Sequence, residues 1–202
     1  MGLRLSYINF INVAVEKVYG SHIKGLKMLE LGDQIVKKKS GLSEKTGKEY
    51  FTNLGYHHIS VDLNGNRGSL IKDLTKSADF VEWPAYFDIV TNSGTTEHVE
   101  PFDSQYDCFK ILHDCVKIGG LMIHLIPDIE PLNQGHFANH CNYYYSEKFF
   151  NDLALNCNYT ILENTIMDNL RCVALVKNTN DFWQDKTSFL KNINIIPMEV
   201  TQ

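Results

Sequence analysis

The sequence predicts an α/β protein built on a doubly wound, mostly parallel sheet with an antiparallel edge strand. Three observations carry that expectation. Apolar, β-branched segments recur at "KMLEL", "HISVDL", "FDIVTNS", "GLMIHLIP", "YTILENTI" and "RCVALVKN". Helical patterns lie between most of them, as in a parallel sheet covered on both faces. The last two segments are separated only by the short connection from Met167 to Leu170, so they must pair antiparallel.

The elements follow in order. Residues 4 to 19 form an amphipathic helix, and Lys27 to Leu31 a short strand that carries Glu30 and turns at Gly32. The stretch "SEKTGKEYFTNLGY" is the first crossover helix, ending near Gly55. A second strand ends in Asp62, a short third one within "SLIKDL" ends in Asp73, and the fourth ends in Asn92 and Ser93. In "DSQYDCFKILHDCVKIGG", Phe109, Leu112, His113 and Val116 repeat with helical spacing; Asp103 or Ser104 caps the start and Gly119 closes the end. In "YSEKFFNDLALNCN", Ser146 is the cap, and Phe149 and Leu153 share the inward face. The stretch "DFWQDKTSFLKNINIIPMEV" gives a short helix and a tail over the sheet, and offers a surface for a homodimer.

Composition bounds the function. A chain of 202 residues fills one core, and its 44% hydrophobic and 21% charged residues are those of an ordinary globular protein. No apolar run approaches the roughly 20 residues that cross a bilayer, and the first twenty residues lack the pattern of an export signal, so a soluble cytoplasmic protein is expected. Five cysteines without C-x-x-C spacing read as reduced thiols. A net charge of −5 argues against a nucleic-acid partner, which needs clustered Lys and Arg. The one basic run, "KKKSGLSEK", is a solvated loop or a contact for an anionic substrate.

Ligands of open α/β sheets bind outside the carboxyl ends of the strands, and acids stand at three such ends here: Glu30, Asp62 and Asp73. Asp62 is placed to accept two hydrogen bonds from a ribose diol, Leu63 to lie on a purine face, and Asp73 to accept from an adenine amino group. The competing reading is that of turn formers, as the Asn-Gly pair in "DLNGN" illustrates. Tyr143, Tyr144 and Tyr145 form either an acceptor wall or a core edge.

Residues 26 to 178 resemble the class I, Rossmann-like S-adenosylmethionine-dependent methyltransferases. Their first motif, acid-x-Gly-x-Gly-x-Gly, is matched by Glu30 and Gly32, with Gln34 and Val36 in place of the later glycines. Downstream, "FDIVTNSGTTEHV", a helix, "KIGGLMIHLIP" and "HCNYYYSEKFFNDLALNCNYTILEN" are similar in order and spacing to the small-molecule branch of ubiquinone-type O-methyltransferases. The resemblance implies a seven-stranded Rossmann-like methyltransferase fold. One domain would span residues 1–202, with a helix over 1–25, a core over 26–178 and a tail over 179–202.

It also implies S-adenosyl-L-methionine as cofactor. Glu30 and Gly32 would line its methionine end, Asp62 its ribose, and Asp73 with Leu74 its adenine, while Asn92 and Ser93 would lie under its sulfonium. The acceptor would be a small molecule, such as a saccharide or cell-envelope precursor, methylated on oxygen before nitrogen. His98 is the nearest proton acceptor, with His140 and His136 as competitors.

Two alternatives stand beside this reading. Glu97, His98, His136 and His140 offer oxygen and nitrogen ligands to a divalent metal, similar to metal-dependent small-RNA 2′-O-methyltransferases. Gly94 replaces the first glutamate of that pattern, so no metal is expected. The other is a noncatalytic module with the same fold, which follows if Gln34 and Val36 fill the cofactor space.

Overall fold

The computed structural model describes residues 2–130 and 137–195. Its elements are α1 (Leu5–Tyr19), β1 (Lys27–Leu31), α2 (Gly47–Asn53), β2 (His57–Asp62), β3 (Leu70–Ile71), β4 (Phe87–Ser93), α3 (Ser104–Cys115), β5 (Val116–Pro127), β6 (Tyr143–Tyr144), α4 (Glu147–Asn156), β7 (Tyr159–Met167), β8 (Leu170–Lys177), α5 (Lys186–Lys191) and β9 (Asn194–Ile195), joined by short 3-10 turns. The main sheet has seven strands in the order β3-β2-β1-β4-β5-β8-β7. Neighbours from β3 to β5 run parallel, whereas β8 is antiparallel to both β5 and β7.

Strand periodicity divides the core into two layers. Leu29 and Leu31 of β1, with Met122 and Ile126 of β5, pack beneath α3 and α4. Met28, Leu121, Ile123 and Leu125 project to the other face, against Tyr7, Ile8, Ile11 and Val15 of α1 and Phe51 of α2. Central strands buried on both sides therefore read as near-continuous apolar runs. The β7–β8 hairpin lies at the edge, as its short connection requires. Asp168 and Asn169 both take positive φ, 48° and 65°, as a two-residue hairpin turn needs. Ser6 Oγ donates to Asp168 at 2.6 Å, joining α1 to this turn.

Side-chain caps start two helices, the expected one at Ser146 and another at Thr46. Ser146 Oγ accepts from Phe149 N at 3.2 Å, and Thr46 Oγ1 accepts from Glu49 N at 3.1 Å. The ends of α3 correct the sequence expectation. Asp103 makes no side-chain cap, and the chain turns into the helix through backbone bonds to the carbonyls of Pro101 and Phe102. Gly119 does not close the helix, which stops at Cys115 and enters β5 directly. Lys177, buried on β8, closes it by donating to His113 O at 2.7 Å and Val116 O at 3.0 Å. Gly119, with φ of 78°, belongs instead to a bulge: Phe87 pairs with Val116, but Ile89 already pairs with Leu121.

The tyrosine run is a core edge. Tyr143, Tyr144 and Tyr145 are all buried, and Tyr145 Oη donates to Gln105 Oε1 at 2.6 Å. All five cysteines are buried and unpaired, and Lys37, Lys38 and Lys39 are exposed. The third strand is only Leu70–Ile71, so Asp73 lies in the following turn. Among the described residues, no helix is long and apolar enough to cross a membrane.

Two buried histidines couple stability to pH. Burial pushes His124 down to about 3 and His113 to about 4. An unfolded histidine takes up its proton near pH 6.5, so their contribution is complete above that value and is lost as pH falls toward the folded values. His124 stacks on Phe109, with ring centroids 5.6 Å apart. Thermal or urea unfolding between pH 6.5 and 4.5 should show stability falling by up to about 1.4 kcal/mol per pH unit for each histidine. His124→Phe should show a shallower slope than wild type; equal slopes would contradict the assignment.

Candidate active site

Strand order reverses between β1 and β4, the place in an open α/β sheet where ligands bind. At the end of β1, Gly32 adopts a φ of 76°, and a Cβ there would stand 2.7 Å from Thr95 Oγ1 and 2.8 Å from Gln34 Nε2. Only glycine fits both the backbone angle and the space. The Leu31 carbonyl accepts from Thr95 Oγ1 at 3.0 Å and from Gln34 Nε2 at 3.3 Å, so the loops after β1 and β4 meet on one oxygen.

Glu30 lies beneath this turn and is 2% exposed. Its carboxylate receives Gln34 N at 3.0 Å and faces His58 Nε2 at 3.1 Å. Burial raises its pKa, with the His58 and Gln34 contacts opposing. A Cβ on Gly47 would fall 2.2 Å from Glu30 Oε2, so α2 must begin with a residue lacking one. Val36 turns away, into the layer under α1.

A cavity of about 320 Å³ opens past the carboxyl ends of β2, β3 and β4. One wall carries Val61, Asp62 and Leu63, a second Lys72 to Thr75, and the third Thr95 and His98 to Glu100. Asp62 is fixed by backbone donors: Asp33 N reaches Oδ2 and Asn64 N reaches Oδ1, each at 3.1 Å. Each oxygen keeps a further lone pair for a ligand. Asp33 is itself held by Arg67, whose Nε lies 2.8 Å from its carboxylate. Asp73 Oδ1 accepts from Thr75 N at 3.0 Å and Thr75 Oγ1 at 2.8 Å, bonds that lower its pKa ahead of its pairing with Lys76.

Behind the third wall a buried polar chain sets the loop after β4. Asn92 Nδ2 donates to Thr96 Oγ1 at 2.8 Å and lies 3.2 Å from His124 Nδ1. Gln105 Nε2 donates to the carbonyls of Thr96 and Val99, at 2.8 and 2.7 Å. This scaffold places His98 at the mouth of the cavity, with its ring centroid 4.9 Å from that of His140. Partial burial, then the His140 neighbour, hold His98 below its ordinary pKa. Next to it, Glu97 is fully buried, neither of its oxygens has a hydrogen-bond partner among the described residues, and burial lifts it to about 7.

The structure therefore brings Asp62, Leu63, Asp73, Leu74 and His98 into one cavity, with His140 against His98. Gly32 forms the adjoining turn with Glu30 beneath it, and Asn92 and Ser93 are buried behind the wall, outside the lining. His136 lies outside the described residues. Sequence reasoning missed Thr95, Lys72 and Glu100 as lining residues, and His58 as the partner of Glu30. The position of Thr95, two residues past β4, was the available signal for the first; the Glu30–His58 pair joins adjacent strands and had none.

The sheet order, with one reversed strand inside the edge, is that of the class I S-adenosylmethionine-dependent methyltransferase fold. PH0226 of Pyrococcus horikoshii OT3 is similar at 15% identity and TM-score 0.58, over 86% of this chain and 90% of its own. The Burkholderia thailandensis 1,6-didemethyltoxoflavin-N1-methyltransferase, solved with 1,6-didemethyltoxoflavin and S-adenosylhomocysteine, matches at 12% identity and TM-score 0.56, over 84% of this chain and 79% of its own. The magnesium protoporphyrin IX methyltransferase of Synechocystis PCC 6803, with bound S-adenosylmethionine, matches at 11% identity and TM-score 0.53, over 86% and 80%. At such identities the likeness shows the fold. No family model and no curated protein matches the chain.

The turn at Gly32 makes a direct prediction. Gly32→Ala should lower the unfolding free energy by about 1–2 kcal/mol from its backbone angle alone, with a further loss from the Thr95 contact. Adding Thr95→Ala should recover the contact loss but not the angular one, measured by urea denaturation. Full recovery in the double variant would contradict the role of the angle.

Proposed function

We propose that the chain transfers a methyl group from S-adenosylmethionine to an oxygen of a small molecule. The observation that carries this reading is Asp62, presented at the end of β2 with spare lone pairs, in a cavity beside the strand-order reversal. The fold supports it, as do the S-adenosylmethionine and S-adenosylhomocysteine bound in two structures that share it.

In this reading Asp62 accepts both ribose hydroxyls, Leu63 covers a purine face, and Asp73 and Leu74 bound the adenine. Glu30 acts from below, holding Gln34 N, and Gly32 forms the turn that faces the methionine end. Asn92 and Ser93 support the floor under the sulfonium. Methyl transfer asks chiefly for alignment, because the sulfonium supplies an activated methyl group. The remaining task is proton removal from an oxygen nucleophile; a neutral His98 at the cavity mouth, backed by His140, is placed for it. The acceptor class is a hydroxylated small molecule, such as a saccharide.

One observation favours a second reading, a noncatalytic module. The Gln34 amide lies over the Leu31–Gly32 turn, where the family has glycine. Calorimetric titration with S-adenosylmethionine and S-adenosylhomocysteine separates the two. Micromolar binding by the wild type should weaken about 10- to 100-fold in Asp62→Ala, since two hydrogen bonds to a charged acceptor are lost. Absence of wild-type binding, with binding gained in Gln34→Gly, would favour the module. Equal affinity of wild type and Asp62→Ala would overturn the assignment of the ribose site.

A further inference from the structure

The basic run after β1 takes no part in the cofactor cavity. Lys37, Lys38 and Lys39 are exposed, and the chain carries 24 acids against 19 lysines and arginines. Yet among the described residues none of the three ammonium groups has a carboxylate or hydrogen-bond partner. Together with Arg4 and Ser40 they line a second cavity, of about 640 Å³, closed by Leu5 and Ser6 of α1. A cleft lined by one sign of charge gathers ions of the other. Ser40 is 8% exposed; its Oγ accepts from Leu42 N at 3.3 Å, and its own proton has no acceptor among the described residues. A buried hydroxyl with a free proton is a ready donor for the oxygen of an anion.

Backbone bonds fix the cluster. Leu3 N donates to Ile35 O and Lys37 N to Leu3 O, each at 2.8 Å, so the lysine segment is paired with the segment that enters α1. The Lys37 stem lies against Gly2, where a Cβ would stand 2.6 Å from Cε. Helix α1 starts with no side-chain cap and no acid in its first turn, and Ile8 N is its first amide with a backbone acceptor. The amides of Leu5 and Ser6 therefore bring free donors and the positive end of the helix dipole to the same cavity. Asp168 stands at this rim, held by Ser6 Oγ at 2.6 Å and by Arg4 at 3.9 Å. It offsets Arg4 and leaves the lysines uncompensated.

We propose that Lys37, Lys38, Lys39, Ser40 and the start of α1 bind the phosphate groups of the acceptor, which is then a phosphorylated saccharide. The acceptor half of this proposal rests on the methyl-transfer reading; the anion site does not. Leu170 pairs with Pro127 at the carboxyl end of β5, and the Leu3–Val36 bridge follows the carboxyl end of β1, so this cavity and that of Asp62 stand at the same end of the sheet. Phe137 joins them: it packs in the layer of Leu3 and Val36, and its ring lies 5.7 Å from that of His140, which faces His98. An acceptor held by its phosphates has this wall to follow toward His98. Binding at the remote phosphates then fixes the reacting hydroxyl, the alignment that methyl transfer asks for. The lysines surround one cavity and form no track along the surface, which suits a phosphate or diphosphate and not a nucleic-acid backbone.

The test titrates the full chain calorimetrically with inorganic pyrophosphate, uridine diphosphate glucose and glucose, with and without S-adenosylhomocysteine. The two phosphorylated probes should bind and displace each other, and glucose should bind far more weakly. Lys38→Gln/Lys39→Gln and Ser40→Ala should each weaken both phosphorylated probes at least about tenfold. Lys24→Gln/Lys191→Gln makes the same change in net charge at exposed lysines elsewhere and should bind as wild type. All four of these lysines are exposed, so circular dichroism should show both double variants folded. No pyrophosphate binding by the wild type, or equal weakening in the two double variants, overturns the site. Pyrophosphate that uridine diphosphate glucose does not displace marks a site for free anions and overturns the acceptor assignment. Loss of S-adenosylhomocysteine affinity in Lys38→Gln/Lys39→Gln would give the lysines to the cofactor carboxylate, and overturns it as well. A chain that binds pyrophosphate and not S-adenosylhomocysteine keeps the anion site while the methyl-transfer reading fails.

Discussion

A single carbonyl at the end of β1 holds the candidate site together. Leu31 O accepts from Thr95 on the loop after β4 and from Gln34 on the loop after β1. That convergence is possible only because Gly32 takes a positive φ and adds no side chain between them. Glu30, below, locks the same loop through Gln34 N and spans to β2 through His58. Strand order then decides the rest: with β1 between β2 and β4, Asp62 arrives on one side of the turn and His98 on the other.

Buried polar bonds hold the wall carrying His98. Asn92, Thr96, Gln105 and Tyr145 form a continuous chain from the end of β4 through α3 to the segment before α4. Such a network specifies one loop conformation when its members are satisfied. Glu97, within that loop but outside its hydrogen bonds, is the exception. Departures of this kind from local stability rules concentrate at functional sites, and here the unsatisfied group stands beside the cavity.

Much of this was readable from the residues because it rests on local patterns. Strand alternation, the Ser146 cap and the short connection at Asp168 and Asn169 are all encoded within a few positions. Asp62, Asp73 and His98 reached one cavity because the ends of successive parallel strands are neighbours in this topology. What escaped depends on distant contacts. Gly119 looked like a helix stop because its bulge is defined only against β4, and the true closure comes from Lys177, some sixty residues away. The tyrosine run could face solvent or core until its partners, Gln105 and Phe137, were in place. Gln34 is in the motif, but the sharing of Leu31 O by its amide and Thr95 joins two loops and does not show in the motif alone.

The central claim is that the cavity between Asp62 and His98 receives the adenosyl group, with Asp62 on the ribose. The most direct measurement is a crystal structure of the chain with S-adenosylhomocysteine. The account predicts both ribose hydroxyls within hydrogen-bond distance of the Asp62 carboxylate, the adenine between Leu63 and Leu74, and the Gln34 amide moved off the Leu31 carbonyl. A ligand bound elsewhere, or one whose ribose makes no contact with Asp62, would contradict it.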